Sequence, residues 1–361
     1  MNNLEINILQ KDGNARASNI VINNKIIKTP TFMPVATRGA IKSTPHTFLN
    51  STQVLLANTY HLHLRPGSEI INELGGIHKF MNWDKIILTD SGGFQAWSLP
   101  TKIFDDGVIY KNVYDGSSFE MTPELSIRIQ NNLGSDIAMI FDCLIDINDA
   151  KEKQIKAIKL TRDWGYKTIN NHKNKDQSLF GIIQGGLHKD LREMSSKYMV
   201  EQEYDGYAIG GLAIGESPAE RKEIVKHTSS LLPEGKPKYV MGLGDTHGLI
   251  DLIDEGIDLF DCVWPARLAR HGKLIVGNNY INIKNEKYKD DSNPISESCN
   301  CFTCKNYSKA FLRHLIQTEN TSAWLYLTVH NLIQTEIMLD EARESILKSN
   351  FNKFKEKYQN G

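Results

Sequence analysis

Apolar positions in this chain of 361 residues fall in short, nearly continuous runs rather than in strict alternation. Eight β-rich runs recur, at residues 31–35, 54–59, 85–90, 136–142, 179–185, 206–211, 238–243 and 258–265, and each is followed by a stretch that reads as helix. Runs such as Ile86-Ile87-Leu88 and Ile137-Ala138-Met139-Ile140-Phe141 suit parallel strands buried on both faces. Helix openings lie between them. Ser217-Pro218-Ala219-Glu220 spells a capping box with Pro at the first helical position, and Thr44-Pro45 and Thr122-Pro123-Glu124 read as similar starts. Eight strand-and-helix units predict an α/β protein built as a (β/α)8 TIM barrel. A doubly wound sheet is the competing arrangement, but it rarely runs through so many regular units, and no strand-to-helix Gly-x-Gly-x-x-Gly is present.

Two departures from this rhythm stand out. Residues 101–121, with Gly107-Val108-Ile109-Tyr110 and Asp115-Gly116-Ser117-Ser118, read as a hairpin inserted between the third and fourth strands. After residue 272 a short strand pair, a charged loop at 285–293, a cysteine cluster and helical periodicity replace the barrel pattern. The expected division is therefore a catalytic barrel at 1–272 and a C-terminal subdomain at 273–361 packed on it. No apolar run approaches the roughly 18 residues of a membrane helix, and the start, Met1-Asn2-Asn3-Leu4-Glu5-Ile6-Asn7, lacks the pattern of a signal peptide. A cytoplasmic protein without a membrane anchor is expected. Lys and Arg total 42 against 43 Asp and Glu, so any nucleic-acid contact has to be local.

In barrels the reacting groups gather where the strands end and the βα loops open. Here those ends carry Asp90-Ser91-Gly92-Gly93-Phe94-Gln95, Asp142, Gln184-Gly185-Gly186, Gly210-Gly211-Leu212, Gly242-Leu243-Gly244-Asp245 and Asp261-Cys262. A single strand-end Asp is as readily a helix cap as a reactive group. Asp90, Asp142 and Asp261 on one mouth suit chemistry at a glycosidic carbon, where one carboxylate attacks and another moves a proton. Metal-dependent hydrolysis is the rival, but only His61 is placed for it, and His61 reads better as a packed, hydrogen-bonded side chain.

Five cysteines, an odd number, argue against a disulfide framework and for thiols or a metal. Cys299-x-Cys301-x-x-Cys304 sets three soft ligands on one loop, and a structural zinc needs a fourth. His330 is the natural candidate and His314 the alternative. Between Ala266 and Lys289 six Lys or Arg (Arg267, Arg270, Lys273, Lys284, Lys287, Lys289) face one acid, Glu286. That segment is either a solvated loop or a phosphate-contacting patch, and its place beside Asp261 favours the second.

The runs Asn58-Thr59-Tyr60-His61, Leu88-Thr89-Asp90-Ser91-Gly92-Gly93-Phe94-Gln95, Gly206-Tyr207-Ala208-Ile209-Gly210-Gly211-Leu212-Ala213, Met241-Gly242-Leu243-Gly244 and Phe260-Asp261-Cys262-Val263, with the Cys299/Cys301/Cys304/His330 set, resemble bacterial-type tRNA-guanine transglycosylase, also called queuine tRNA-ribosyltransferase. The match runs from about Pro30 into the C-terminal region in order and spacing. The resemblance implies a zinc-bearing barrel, usually a homodimer, that exchanges guanine at the wobble position of tRNAs with GUN anticodons for 7-aminomethyl-7-deazaguanine, a step of queuosine biosynthesis. It implies Asp261 as nucleophile and Asp90 as general acid/base. Ser91, Gly92, Gly93, Phe94, Asp142, Gln184, Gly210, Gly211, Leu212 and Met241 are implied to hold the base. Gly242, Leu243, Gly244, Asp245, Thr246, His247 and Gly248, with Ala266, Arg267, Leu268, Ala269 and Arg270, are implied to meet the tRNA. Glu216 is implied to support the peptide facing the 7-substituent. The resemblance departs after Asp142, where Cys143-Leu144-Ile145-Asp146 replaces the usual Glu-Cys-Thr-Pro, and at Trp264, Ala266 and His271 in the strip expected to read the wobble neighbourhood. The first departure bears on which 7-substituent is accepted.

Overall fold

Strands that are apolar on both faces must be covered on both faces, and closing them into a ring inside a shell of helices does so. In a computed structural model that describes residues 4–99 and 101–359, eight parallel strands form this ring. In chain order they are Thr31–Pro34, Val54–Ala57, Ile86–Thr89, Ile137–Met139, Ser178–Ile183, Gly206–Ile209, Lys238–Val240 and Leu259–Cys262. Each strand pairs with its sequence neighbours, and the eighth pairs with the first, Leu259 opposite Thr31. The seam between the first and second closes through a single bridge, Val35 to Leu56, where the Ala36 N–H donates to the Leu56 carbonyl at 2.7 Å. Six of the eight strands are buried at every position, which is why their sequences do not alternate. The other two surface Lys238 at the base of the seventh and Asp261 and Cys262 at the top of the eighth.

Met1 to Asn3, part of the stretch read for a leader, lie outside the described residues. Before the barrel stands an antiparallel sheet of Leu4–Asp12, Ala15–Ile22 and Lys25–Thr29, which a strand count starting at residue 31 omits. Its first strand alternates buried and exposed positions, so a search for continuous apolar runs passes over it. In the turn between its last two strands Asn23 and Asn24 both take positive φ (48° and 64°), as a tight hairpin of type I′ requires. This sheet closes the base of the barrel. Arg16 donates to Asp258 Oδ1 at 2.9 Å and Oδ2 at 2.5 Å, and to the carbonyls of Glu234 at 2.6 Å and Lys236 at 2.8 Å.

The helix starts follow their caps with one exception. The Ser217 capping box forms, and Thr122 accepts from the Leu125 N–H at 3.2 Å to open Pro123–Leu133. Thr44-Pro45 opens only the single 3₁₀ turn His46–Phe48, where Pro45 stands at the cap position and offers no side-chain acceptor. The inserted segment, read as one hairpin, is a three-stranded sheet of Lys102–Phe104, Gly107–Lys111 and Ser118–Met121.

The C-terminal region builds a second apolar cluster around Leu274, Ile283, Ile295, Leu312, Leu327 and Val329. The helix Thr321–Leu347 leaves that cluster and carries Met338, Leu339, Ala342 and Ile346 into the barrel's own core. Within the second cluster the donor atoms of Cys299, Cys301, Cys304 and His330 lie within 4.8 Å of one another. His330 Nδ1 is 3.3 Å from Cys304 Sγ and 3.8 Å from Cys301 Sγ, while its Nε2 meets the Ile275 carbonyl at 2.8 Å. That outer bond fixes Nδ1 as the unprotonated, ligating nitrogen, and three thiols with one imidazole suit a structural, tetrahedral zinc with no position left open. His314, the alternative ligand, is exposed and outside the group. Among the described residues no helix is long and apolar enough to cross a membrane.

The residue after the ligand transmits this anchor. Asn331 Nδ2 donates to the carbonyls of Pro265 and Lys273, both at 3.0 Å, and its Oδ1 accepts from the Ile275 N–H at 2.9 Å. Pro265 opens the helix Trp264–Arg270 that follows the eighth strand. Metal assay should therefore find about one zinc per chain. A Cys301→Ala variant or chelated protein should show faster hydrogen exchange across residues 273–330 and in the Trp264–Arg270 helix, with the barrel strands still protected.

Candidate active site at the barrel mouth

Asp90 follows the third strand, and its carboxylate is held by the loop of the second. Asn58 Nδ2 donates to Oδ2 at 2.5 Å, and the N–H groups of Thr59 and Gly92 donate to Oδ1 at 2.9 and 3.2 Å. Asn58 is fixed at its other end, since its Oδ1 caps the helix Thr59–Leu64 by accepting from the His61 N–H at 2.9 Å. Burial pushes the Asp90 carboxyl up to about 7 against these hydrogen bonds, and the nearby Asp261 charge adds to the rise.

Asp261 surfaces at the end of the eighth strand. Its Oδ1 accepts from the Tyr239 hydroxyl at 2.5 Å and from the Gly242 N–H at 2.9 Å, both from the seventh strand and its loop. Burial raises its pKa as well, and those two donors oppose the rise. Asp142, beyond the fourth strand, takes Gln184 Nε2 at 2.6 Å and Ser91 Oγ at 3.2 Å, and burial lifts it to about 6. Among the described residues none of the three carboxylates forms an ion pair with a Lys or Arg. Each is met by an amide, a hydroxyl or a backbone N–H from a neighbouring strand end.

Glycine is required where these loops converge. A Cβ on Gly93 would stand 2.1 Å from Asp142 Oδ1, and one on Gly211, at φ 67°, would stand 2.5 Å from Gln184 Oε1. A Cβ on Gly210 would stand 2.9 Å from Gln184 Nε2, so Asp142, Gln184, Gly210 and Gly211 make one floor. Leu144, buried, lies beside that floor, its Cδ1 3.6 Å from the Gly211 Cβ position. Leu212 is buried next to it, Met241 is half-buried, and Phe94 stands 51% exposed at the mouth, its ring 5.7 Å from Trp97. Beyond the floor, Glu216 accepts from the N–H groups of Ala213 at 2.7 Å and Ile214 at 3.2 Å, holding a turn in which Ala213 takes φ 59°.

The stretch expected to meet RNA divides by exposure. Gly242 and His247 are exposed, whereas Leu243, Gly244, Thr246 and Gly248 are buried, and Asp245 caps Thr246–Ile253 by accepting from the Gly248 N–H at 2.8 Å. In the Trp264–Arg270 helix, Ala266, Leu268 and Ala269 pack inward, Trp264 and Arg267 face solvent, and Arg270 is half-buried. His271 is exposed just after it. His61 is packed against Tyr60, yet its Nδ1 has no hydrogen-bond partner, so it is not the hydrogen-bonded side chain expected.

Several participants carry no motif of their own. Tyr239 is visible only once the strand ends are assembled, and so is the hold of Asn58 on Asp90, although Asn58 opens the run Asn58-Thr59-Tyr60-His61. Tyr110 donates to the Gly92 carbonyl at 2.7 Å and Tyr60 to the Lys111 carbonyl at 2.9 Å, so the inserted sheet braces the Asp90 loop. Arg192 is fully buried and bonds the carbonyls of Ile183 at 2.9 Å, Gly186 at 2.9 Å and Gly210 at 2.8 Å, with its pKa lowered by burial to about 9.

With this geometry in place, the comparisons agree with one another. The family model for queuine tRNA-ribosyltransferase matches residues 11–361. A queuine tRNA-ribosyltransferase of Fusobacterium nucleatum is 44% identical over 355 residues, covering 96% of this chain and 95% of the relative. That of Thermosipho africanus is 42% identical over 357 residues, 98% and 97% of the two chains, and that of Staphylococcus aureus 42% over 353, 96% and 93%. A barrel with three unpaired carboxylates at its mouth, a Cys3His group and this similarity along nearly its whole length place the chain in the queuine tRNA-ribosyltransferase family, as a tRNA-guanine transglycosylase enzyme.

Proposed function

We propose that the enzyme replaces guanine at the wobble position of tRNAs with GUN anticodons by a 7-deazaguanine, with 7-aminomethyl-7-deazaguanine as the incoming base. The observation that carries this reading is the pairing of Asp90 and Asp261, two carboxylates close enough for one to sense the other's charge, each held only by neutral donors. Asp261 attacks C1′ of the ribose as the guanine leaves, giving a ribosyl ester on the carboxylate, and the incoming base displaces the aspartate. The polynucleotide backbone stays intact throughout. The Tyr239 and Gly242 donors crowd onto Oδ1, which leaves Oδ2 as the attacking oxygen. Asp90 gives a proton as the first base departs and takes one from the second. A carboxyl near 7 suits both tasks, and such transfers contribute on the order of 10²- to 10⁴-fold.

Recognition of the base follows from donors and acceptors. Asp142 accepts from N1–H and the exocyclic amine, Gln184 and the Gly211 N–H serve O6, and Phe94 and Met241 cover the ring faces. Since Gln184 already donates to Asp142, base binding has to share or break that bond. The target nucleotide must leave its stack to reach the floor, and Arg267 and Arg270 take the phosphates beside it. Zinc supplies no chemistry to this step; its four ligands brace the subdomain of residues 273–361 against the catalytic barrel at 1–272. The cluster of Tyr307, Phe311 and Tyr326, with Phe311 41% exposed, fits a homodimer contact. A cytoplasmic location accords with a tRNA substrate.

Leu144 supports a second reading of the incoming base. An isobutyl group beside Gly211 makes that wall more apolar than the thiol usual in the resembling family, which favours a deazapurine other than the aminomethyl compound. A non-catalytic RNA-binding subunit would have no use for two elevated carboxylates.

The central test is incorporation of labelled guanine into unmodified tRNA. Asp261→Asn should lose at least about 10³-fold in exchange while still binding tRNA; an Asp261→Asn protein with full exchange would remove the nucleophile assignment. The half-reactions should split with pH. Departure of guanine needs Asp90 protonated, so its single-turnover rate should fall as pH rises through about 7. Capture of the incoming base needs Asp90 ionised, so that rate should fall as pH drops below the same value. Competition among guanine, 7-aminomethyl-7-deazaguanine and queuine should favour the aminomethyl base; Leu144→Cys should increase that preference, read as the ratio of kcat/KM values.

A further inference from the structure

Eleven arginines occur in the chain, and their partners divide them. Arg16, Arg162, Arg221, Arg313 and Arg343 are in ion pairs, and Arg192 is buried among carbonyls. Of the five that remain without a carboxylate ion pair among the described residues, four surround the barrel mouth. Arg267 and Arg270 follow the eighth strand. Arg38 follows the first and Arg65 follows the second, next in the ring. The remaining one, Arg128, lies on the helix Pro123–Leu133.

Arg38 and Arg65 converge on one ring. The guanidinium carbon of Arg65 lies 4.0 Å and that of Arg38 5.4 Å from the centre of Tyr114, which sits in the turn between Gly107–Lys111 and Ser118–Met121. Three separate loops therefore bring two exposed cations to one aromatic ring. Stacking fixes a guanidinium by its plane and leaves its edge N–H donors free. The Arg65 charge reaches Asp115, whose Oδ1 is already engaged, accepting from the Ser117 N–H at 2.9 Å and hydroxyl at 2.6 Å. A tie that only fastened the inserted sheet to the rim would not need two like charges on one ring. That sheet is already fastened by the Tyr60 and Tyr110 hydroxyls.

We propose that Arg38, Arg65 and Tyr114 form a second phosphate-binding station, which holds the RNA strand on the side of the target nucleotide opposite Arg267 and Arg270. This rests on the transglycosylase reading, which supplies the RNA. The loops place the two stations in one arc, from the eighth strand through the first and second to the insertion after the third, and Asp261 and Asp90 belong to the strand ends that the arc spans. A strand gripped on both sides of one nucleotide can present that nucleotide inward while its neighbours remain on the rim. The edges of two fixed guanidinium groups offer the paired donors that a phosphate accepts.

The test is binding of an unmodified anticodon stem-loop RNA across a salt series, by fluorescence anisotropy, with guanine exchange by the wild-type protein measured on the same RNA. Arg38→Gln and Arg65→Gln should each weaken binding by about tenfold and reduce the slope of log affinity against log salt by roughly 0.7 to 0.9. Tyr114→Leu removes the platform but no charge, so it should lose affinity with the slope unchanged. Lys353→Gln, on the C-terminal helix Phe351–Gln359, controls for net charge and should change neither. Arg38→Lys should keep the slope and recover only part of the affinity, and this variant remains informative if Arg65→Gln proves unstable. With exchange intact, affinities and slopes of the arginine variants matching the Lys353→Gln control overturn the station alone. Absence of exchange by the wild-type protein overturns the functional reading, and the arginine variants still report separately on RNA binding.

Discussion

Three carboxylates withdrawn from solvent without a cation beside them are the constraint around which this mouth is built. An ionised carboxylate in such a place is costly unless hydrogen bonds replace its water, and a nearby Lys or Arg would be the simplest remedy. Here the remedy is neutral: Asn58 and two N–H groups for Asp90, Tyr239 and one N–H for Asp261, Gln184 and Ser91 for Asp142. The difference is functional. A cation would pin each carboxylate in its charged form, whereas neutral donors leave Asp90 near 7 and Asp142 near 6, able to change state near neutral pH.

Neutral donors must be placed accurately, and that requirement explains much of the architecture. Each carboxylate is satisfied by a different strand end: the third by the second, the eighth by the seventh, the fourth by the fifth and third. Only a closed ring keeps all these neighbours in register. Arg192 then takes three carbonyls from below, so that the glycine loops can turn their N–H groups towards a ligand. The zinc subdomain does the same service for the basic strip, because Asn331, next to the ligand His330, hydrogen-bonds the first turn of the helix that carries Arg267 and Arg270.

What the sequence disclosed follows from how local each signal is. Continuous apolar runs specify parallel buried strands, so the barrel and its order were legible. The three cysteines sit within six residues and announce a metal site directly, and His330, preferred there over His314, is the histidine that completes the group. Strand-end aspartates were legible because barrel topology says where strand ends go. Ser91, Gly92, Gln184 and Gly242 were among the residues named with them, but the roles of Asn58 and Tyr239 were not legible, since each acts on an aspartate more than twenty residues away in sequence. The N-terminal sheet escaped notice because half-exposed strands alternate, and the 3₁₀ turn at His46–Phe48 shows that Thr-Pro alone does not sustain a helix where no side-chain cap forms.

The distribution of charge completes the argument. A net charge of -1 describes a molecule whose arginines are segregated by role. At the base Arg16 meets Asp258 and backbone carbonyls, and Arg343 meets Asp340 and the carbonyls of Lys28, Thr29 and Pro30, so these cations serve folding. At the mouth Arg38, Arg65 and Arg267 form no salt bridge among the described residues, although Lys and Arg number 42 against 43 Asp and Glu in the chain. Evenly scattered charge would present no field to an approaching polyanion; segregation gives the mouth a positive rim around an acidic floor. On the proposed function, such a rim would attract phosphate, while the floor, whose carboxylates accept from donor groups and repel phosphate, would favour a base that brings N–H groups with it. The same separation explains why the three carboxylates take neutral partners: an arginine turned inward to pair with Asp90 or Asp261 would be lost to the rim.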